Sequence, residues 1–241
     1  MRDARDMPAA AVIGAEAGRR AAARLGGVKL ETRTAPVLFP ARVARGLIGS
    51  LLGAISGGAL YRKASFLVDA LDTQVFASLV TIDERPHLHK ALASAPFDEE
   101  GVATAERCLV EAGMLRGYML GSYYARKLGM ASTGNAGGAH NLVVQSTGES
   151  FAELLAKMDR GLVIADLMGS GINPVTGDYS RGASGFWVEN GRIQYPVTEI
   201  TVAGNLKDMY RGILGIGTDV DRRGAVLTGS ILIDRMTIAG S

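Results

Sequence analysis

Runs and alternations of apolar residues divide the chain into a helix-rich beginning and a strand-rich remainder. Pro8 to Leu25 is alanine-rich, carries Arg19, Arg20 and Arg24 towards its end and is followed by Gly26-Gly27, which predicts a helix with basic residues at its negative pole and a glycine stop. Val28 to Thr32 and Pro36 to Phe39 read as extended. Arg42 to Leu60 predicts an apolar helix in which Gly49, Gly53 and Gly57 recur on nearly one face, a ridge without side chains where another backbone can pack closely. Val75 to Ile82 predicts a strand, and Asp83 to Glu100 an irregular excursion rich in Pro, Ser and acidic residues. Val102 to Val110 and Met114 to Leu120 flank Glu111-Ala112-Gly113, a hairpin with a three-residue connection.

A short helix around Ser122 to Leu128 precedes the glycine-rich stretch STGNAGGAH, Ser132 to His140, which leads into a strand at Asn141 to Gln145. Ser150 and Glu153 form a capping box, and Phe151, Leu154, Leu155 and Met158 give the helix behind it an apolar stripe ending before Gly161. Strands then dominate. Leu162 to Leu167 is a buried run, Ala183 to Val188 pairs with Arg192 to Val197 across Asn190-Gly191, and Glu199 to Ala203 forms another strand. Asn205 caps a helix reaching about Leu214, and Ala225 to Ile233 and Met236 to Ala239 close the chain as strands. Without strict strand–helix alternation, the fold class is α+β, a mostly antiparallel β-sheet with packed helices that include the Gly-rich buried helix. The division expected is residues 1–85, a helical portion, and 86–241, a strand-rich portion, sharing a core.

The 241 residues, 47% hydrophobic and 21% charged, suffice for one large domain or two small ones. A lone cysteine, Cys108, excludes a disulfide within the chain and a Cys-cluster zinc site, and it fits a reducing, cytoplasmic setting. A net charge of +2 creates no demand for a nucleic-acid partner. The N-terminus alternates charge at Arg2, Asp3, Arg5 and Asp6 and lacks the apolar run of a secretory signal. Gly46 to Tyr61 is uncharged but falls short of the ~18–20 residues of a membrane span.

Candidate chemistry is sparse. His87 and His89, with Asp83 and Glu84 nearby, could offer zinc ligands, but two histidines in a polar loop after Pro86 read first as exposed side chains. Gly134 to Gly138 could cradle a phosphate on serial N–H groups. It lacks the Lys-Ser/Thr ending of a P-loop and precedes a strand, so its other reading is a loop that lets another chain approach, with His140 and Asn141 offering hydrogen bonds. Ser180 and Ser184 stand in no G-x-S-x-G elbow. Cys108 and Trp187 read as core residues on strands.

Longer strings are more specific. GDYSRGASGFWVENGRIQYPVTEITVAGNLKDM, Gly177 to Met209, closely resembles the C-terminal region of the PmbA/TldE-type subunit in the TldD/PmbA metallopeptidase family. The resemblance extends through YRKASFLVDAL (Tyr61 to Leu71), PHLHKALASAPFDEEGVAT (Pro86 to Thr104), SYYARKLG (Ser122 to Gly129), STGNAGGAHN (Ser132 to Asn141) and GSILIDRMTIAG (Gly229 to Gly240). It covers nearly all of the chain, which looks like the C-terminal half of the family, without its N-terminal domain.

The resemblance implies a catalytic TldD-type subunit that holds zinc with a His-Glu-x-x-x-His helix and a late Cys, paired with a PmbA/TldE-type subunit lacking those groups. Registered on Arg62-Lys63, this sequence places Gly49, Ser50 and Ala54 where the helical motif would stand, and Thr228 at the Cys position. The implied role is that of a non-catalytic component in proteolysis of small or unfolded peptides. It would carry no cofactor itself, with Zn in the catalytic partner. Its partners would be a TldD-like subunit, as a heterodimer, and an extended peptide, with no membrane and no direct nucleic acid. Asn135, His140, Tyr179 and Arg181, in glycine-rich approaches, are the candidate contacts to partner or peptide. The alternative is a stand-alone regulatory or binding module acting on gyrase or a toxin–antitoxin system. A third reading is an autonomous peptidase using His87 and His89.

Overall fold

The computed structural model describes residues 2–240. After a 3-10 turn at Ala4–Asp6 come α1 (Ala10–Ala22), β1 (Arg33–Phe39), α2 (Ala41–Ala54) and α3 (Gly57–Tyr61). The middle of the chain holds β2 (Ile82–Glu84), β3 (Arg107–Glu111), β4 (Met114–Leu115), α4 (Ser122–Lys127), β5 (Leu142–Val144) and α5 (Phe151–Met158). The last part forms β6 (Gly161–Met168), β7 (Asp178–Glu189), β8 (Arg192–Asn205), α6 (Leu206–Arg211), β9 (Ile213–Ile216), β10 (Val226–Leu227) and β11 (Ile231–Ala239). The fold is α+β and mostly antiparallel.

Six strands form the larger sheet in the order β1-β6-β7-β8-β11-β9, and β1 also pairs with β11, so five strands close into a ring. Period-two alternation explains how the ring fills. Val37, Phe39, Leu162, Trp187, Ile231 and Ile233 point into the main core. Their neighbours Leu38, Val163, Val188 and Leu232 point outward under Leu154 and Met158 of α5. Only β1–β6 is parallel in this sheet, at Val37↔Leu162 and Leu38↔Val163. The smaller sheet runs β10-β5-β2-β3-β4.

Local signals place several elements as the sequence predicts. Ser150 accepts from the Glu153 amide and Glu153 reaches back to the Ser150 amide at 2.7 Å, completing the capping box. Glu189 pairs with Arg192 around Asn190 (φ 52°) and Gly191 (φ 67°), the geometry of a type I′ turn. The β3–β4 connection is shorter than the expected three residues. Glu111 pairs with Met114, leaving Ala112 and Gly113 to turn at φ 46° and 81°.

Other expectations are corrected. Of the predicted 75–82 strand only Ile82 is in a ladder. The Val75 and Phe76 amides instead both donate to the Gly113 carbonyl at 3.0 Å, and Phe76 stacks on Tyr210 with ring centroids 4.3 Å apart. The strands expected at 192–197 and 199–203 are one strand, β8, bent by a bulge. Ala183 pairs with Ile200 but Gly185 with Val197, and Glu199 takes φ 53° to absorb the extra residue. The helix expected to reach Leu214 stops at Arg211, and Ile213 opens β9 instead, pairing with Ile233.

The helix expected across 42–60 breaks at Ile55-Ser56, because the Met119 amide donates to the Ile55 carbonyl at 3.0 Å and the Gly57 amide donates to the Met119 carbonyl at 2.9 Å. Ala44, Leu47, Ile48, Leu51 and Ala54 bury one side of α2. The glycine ridge does not pack throughout: a Cβ at Gly49 or Gly53 would meet nothing within 4 Å, whereas one at Gly57 would lie 2.6 Å from Tyr124 Cβ. Among the described residues no helix is long and apolar enough to cross a membrane.

Candidate functional site

The four positions matched to the zinc motif lie on or beside α2. Gly49 faces outward. The Ser50 hydroxyl bonds back to the Gly46 carbonyl at 3.1 Å, the usual way a helical serine satisfies itself. Ala54 is buried. Thr228 follows β10, which packs against α2; it is fully buried, and its hydroxyl donates to the Gly229 carbonyl at 3.0 Å. The set therefore offers two neutral hydroxyls, both engaged by backbone. Zinc takes imidazole nitrogen, thiolate or carboxylate, so these residues do not fit it.

The H-x-H pair does not build a second donor set. His87 is exposed, with Nε2 3.1 Å from Thr104 Oγ1, and Glu84 is turned away into the interior. Among the described residues no three His, Cys, Asp or Glu side chains gather at metal-binding distance. Cys108 is half-buried on β3, and burial together with Asp83 pushes its thiol up to about 11, leaving it protonated at neutral pH.

A groove of about 640 Å³ opens beside the end of α2. One wall is Leu52, Ser56, Gly57 and Gly58, the second is Tyr123 and Tyr124 of α4, and the third is the glycine-rich loop at 135–139. Arg62, Glu99 and Glu100 bring charge to it. Gly57 allows α3 to cross α4 closely enough to form the wall. Tyr123 and Tyr124 meet edge to face with centroids 5.0 Å apart, and Glu100 caps α4 by accepting from the Ser122 amide at 2.7 Å.

A buried ionic cluster fixes the loop. Glu84, 1% exposed on β2, accepts on one oxygen from Arg107 Nε at 2.7 Å. Its other oxygen accepts from Asn135 Nδ2 at 2.7 Å and from the His140 amide at 3.0 Å. The His140 ring Nδ1 stands 3.1 Å from that same oxygen. Arg107 also donates to Asn135 Oδ1 at 2.7 Å and to the Tyr118 carbonyl at 2.8 Å. Burial pushes the Glu84 carboxyl up, but the Arg107 charge and the bonds from His140, Arg107 and Asn135 outweigh it and hold the group below its ordinary range. Asp98 clamps the same loop by accepting from the Ala136 amide at 2.9 Å.

Asn135 and His140 therefore come together, as buried anchors of the loop; Asn135 also lines the groove. Tyr179 and Arg181 lie elsewhere, on β7 of the larger sheet. Tyr179 is a core residue whose hydroxyl burial pushes up in pKa. Arg181 is half-buried, and its Nε has no hydrogen-bond partner. Arg107, Glu99 and Tyr124 were not among the sequence candidates. Arg107 lies inside the Val102 to Val110 segment read as a strand, and no local pattern in the sequence ties it to Glu84.

A model of the PmbA/TldA metallopeptidase C-terminal domain matches residues 32–240. The metalloprotease PmbA of Escherichia coli O157:H7 is 54% identical over 228 residues, covering 95% of this chain and 51% of that protein. The metalloprotease PmbA homolog of Haemophilus influenzae is 52% identical over 231 residues, with the same coverage of 95% and 51%. The crystal structure of a candidate modulator of a DNA gyrase from Thermotoga maritima superposes with a TM-score of 0.92 at 34% identity, over 99% of this chain and 57% of that one. The chain thus spans about half the length of the curated relatives it matches.

Proposed function

The chain belongs to the PmbA/TldD metallopeptidase family, and from that premise we propose that it is a PmbA/TldE-type, non-catalytic component of a peptide-cleaving assembly whose zinc sits in a TldD-like partner. One observation carries this reading: at the four motif positions the chain supplies Gly49, Ser50, Ala54 and Thr228, and the two hydroxyls among them are committed to backbone carbonyls. No residue there holds a metal or takes a proton from water. What remains for this subunit is to position a peptide and to wall off the space where the partner acts.

The groove beside α2 suits that task. Arg62 and Glu99 place charges of both signs at its edge, and Tyr123 and Tyr124 supply flat apolar contact. The loop at 135–139 is held by Glu84 and Asp98, so its backbone is already ordered when an extended chain arrives. Recognition through main-chain bonds tolerates varied side chains, which matches a substrate class of small or unfolded peptides.

The test is reconstitution. Mixed with a TldD-like subunit, the chain should co-elute with it, and the mixture should cleave an extended peptide in a chelator-sensitive way. The chain alone, with zinc added, should not. Ser50→Ala and Thr228→Val should leave the activity of the mixture within about twofold, since neither hydroxyl acts on substrate. Chelator-sensitive cleavage by the purified chain would overturn the proposal. Recovery of a non-peptidase protein as its only partner would favour the regulatory reading instead.

A further inference from the structure

A second groove, of about 300 Å³, lies between α1, the start of α2 and the outer side of β6, β7 and β8. Its volume is at the small end of the roughly 300–1,000 Å³ typical of small-molecule sites. Phe151, Val163, Phe186 and Ile193 line it. Ile193 is 48% exposed, and α1, which forms the facing wall, has no buried residue at all. Val163 is buried and Phe151 and Phe186 are half-buried, so Ile193 and the free edge of Phe186 are the parts of the apolar floor open to a ligand.

The rim is cationic. Arg19, Arg20 and Arg24 come from α1 and its end, and Arg42 from the first turn of α2. Glu16 answers Arg19 at 2.8 Å and Arg20 at 2.6 Å. Arg24 is 3.7 Å from Asp166, a loose pairing. Arg42 spends one N–H on the neutral carbonyl of Ala165, at 2.6 Å. Four guanidiniums thus face two carboxylates, and the adjacent residues Ala165 and Asp166 bring Arg42 and Arg24 to one end of the floor.

We propose that this groove binds an apolar monocarboxylate, with the carboxylate between Arg24 and Arg42 and the hydrocarbon body on Phe186 and Ile193. Arginine suits the head group because its fork of donors matches a carboxylate. A phosphodiester chain would waste the apolar floor. At the roughly 30 Å³ that a water occupies in the liquid, the space admits about ten heavy atoms. That fits a medium-chain fatty acid or the free C-terminal residue of a peptide, and both present the same chemistry. Binding would press α1 onto the floor.

Calorimetric titration of the full chain tests this with octanoate, with N-acetyl-leucyl-phenylalanine and with the amide of that dipeptide. At least one carboxylate should bind, and the amide should bind about tenfold more weakly than the free acid. Tighter binding of octanoate identifies a fatty acid as the source, and tighter binding of the dipeptide identifies a peptide C-terminus. Arg24→Gln should weaken binding about tenfold, and Ile193→Glu should abolish it, both with an unchanged melting temperature. Amide exchange in α1 should slow when the ligand is present. Failure of both acids to bind, equal binding of acid and amide, or wild-type affinity in both variants overturns the proposal.

Discussion

Gly49 and Gly57 share a ridge on the sequence but not a physical role. At Gly49 an added methyl group meets nothing within 4 Å, so Gly49→Ala should stabilise the isolated chain by up to about 1 kcal/mol through helix propensity alone. At Gly57 the same methyl would press on Tyr124 at 2.6 Å, and Gly57→Ala should cost about 1–3 kcal/mol. Urea denaturation of the two variants checks both signs. Glu84 offers a second contrast. Glu84→Gln removes the charge that answers Arg107 at 2.7 Å, and a buried pair broken on one side loses about 3 kcal/mol. Because the folded carboxyl titrates below its ordinary range, its contribution is complete above the unfolded value of about 4.3 and fades as pH falls through the lower folded value. The stability gap between wild type and Glu84→Gln should therefore be constant near neutrality, begin to narrow below about pH 4.3 and close only below the lower folded value. A gap that persists in acid would mean that packing, not charge, holds the loop.

Among elements, α1 stands apart. It carries a good alanine composition and the Glu16 bridges, yet none of its residues is buried. Short helices draw most of their stability from packing, so its amides should exchange far faster than those of α2 in a hydrogen-exchange experiment. Ser150→Ala should cost α5 about 1 kcal/mol by removing the cap, read as a lowered denaturation midpoint. Signals of this local kind were legible in the sequence. The Ser150–Glu153 box, the Asn190-Gly191 turn and the hairpin around Gly113 all need only neighbours to form. The bulge at Glu199 was not legible, because a strand interrupted by one left-handed residue looks like two strands until its partner is known. Nor was β9, whose Ile213 owes its place to Ile233. The loop anchor was hidden for the same reason, since Glu84 finds its partners 23, 51 and 56 positions away. The motif positions on α2 were placed by family resemblance. Only the structure revealed that the glycine face there is open.

At the scale of the whole molecule, the two sheets share one core, with Phe39 of the larger and Leu109 of the smaller in the same cluster. The walls of the groove beside α2 come from helices and loops spread between residues 52 and 139. The ring of the larger sheet carries a further consequence. Arg33 on its first strand is matched with Ile238 on its last. A ribosome delivers these edges in order, so β1 leaves the exit tunnel long before the segment that will lie against it exists. During that interval Val37, Leu38 and Phe39 are a sticky, unsatisfied edge of the sort that seeds aggregation. Closure must await synthesis of β11, and folding rates fall when contacts are so distant in sequence. Removing only the final ten residues should leave an insoluble product rather than a slightly weakened one. In the cell, such a protein would be a natural client for holding chaperones at the moment of its birth.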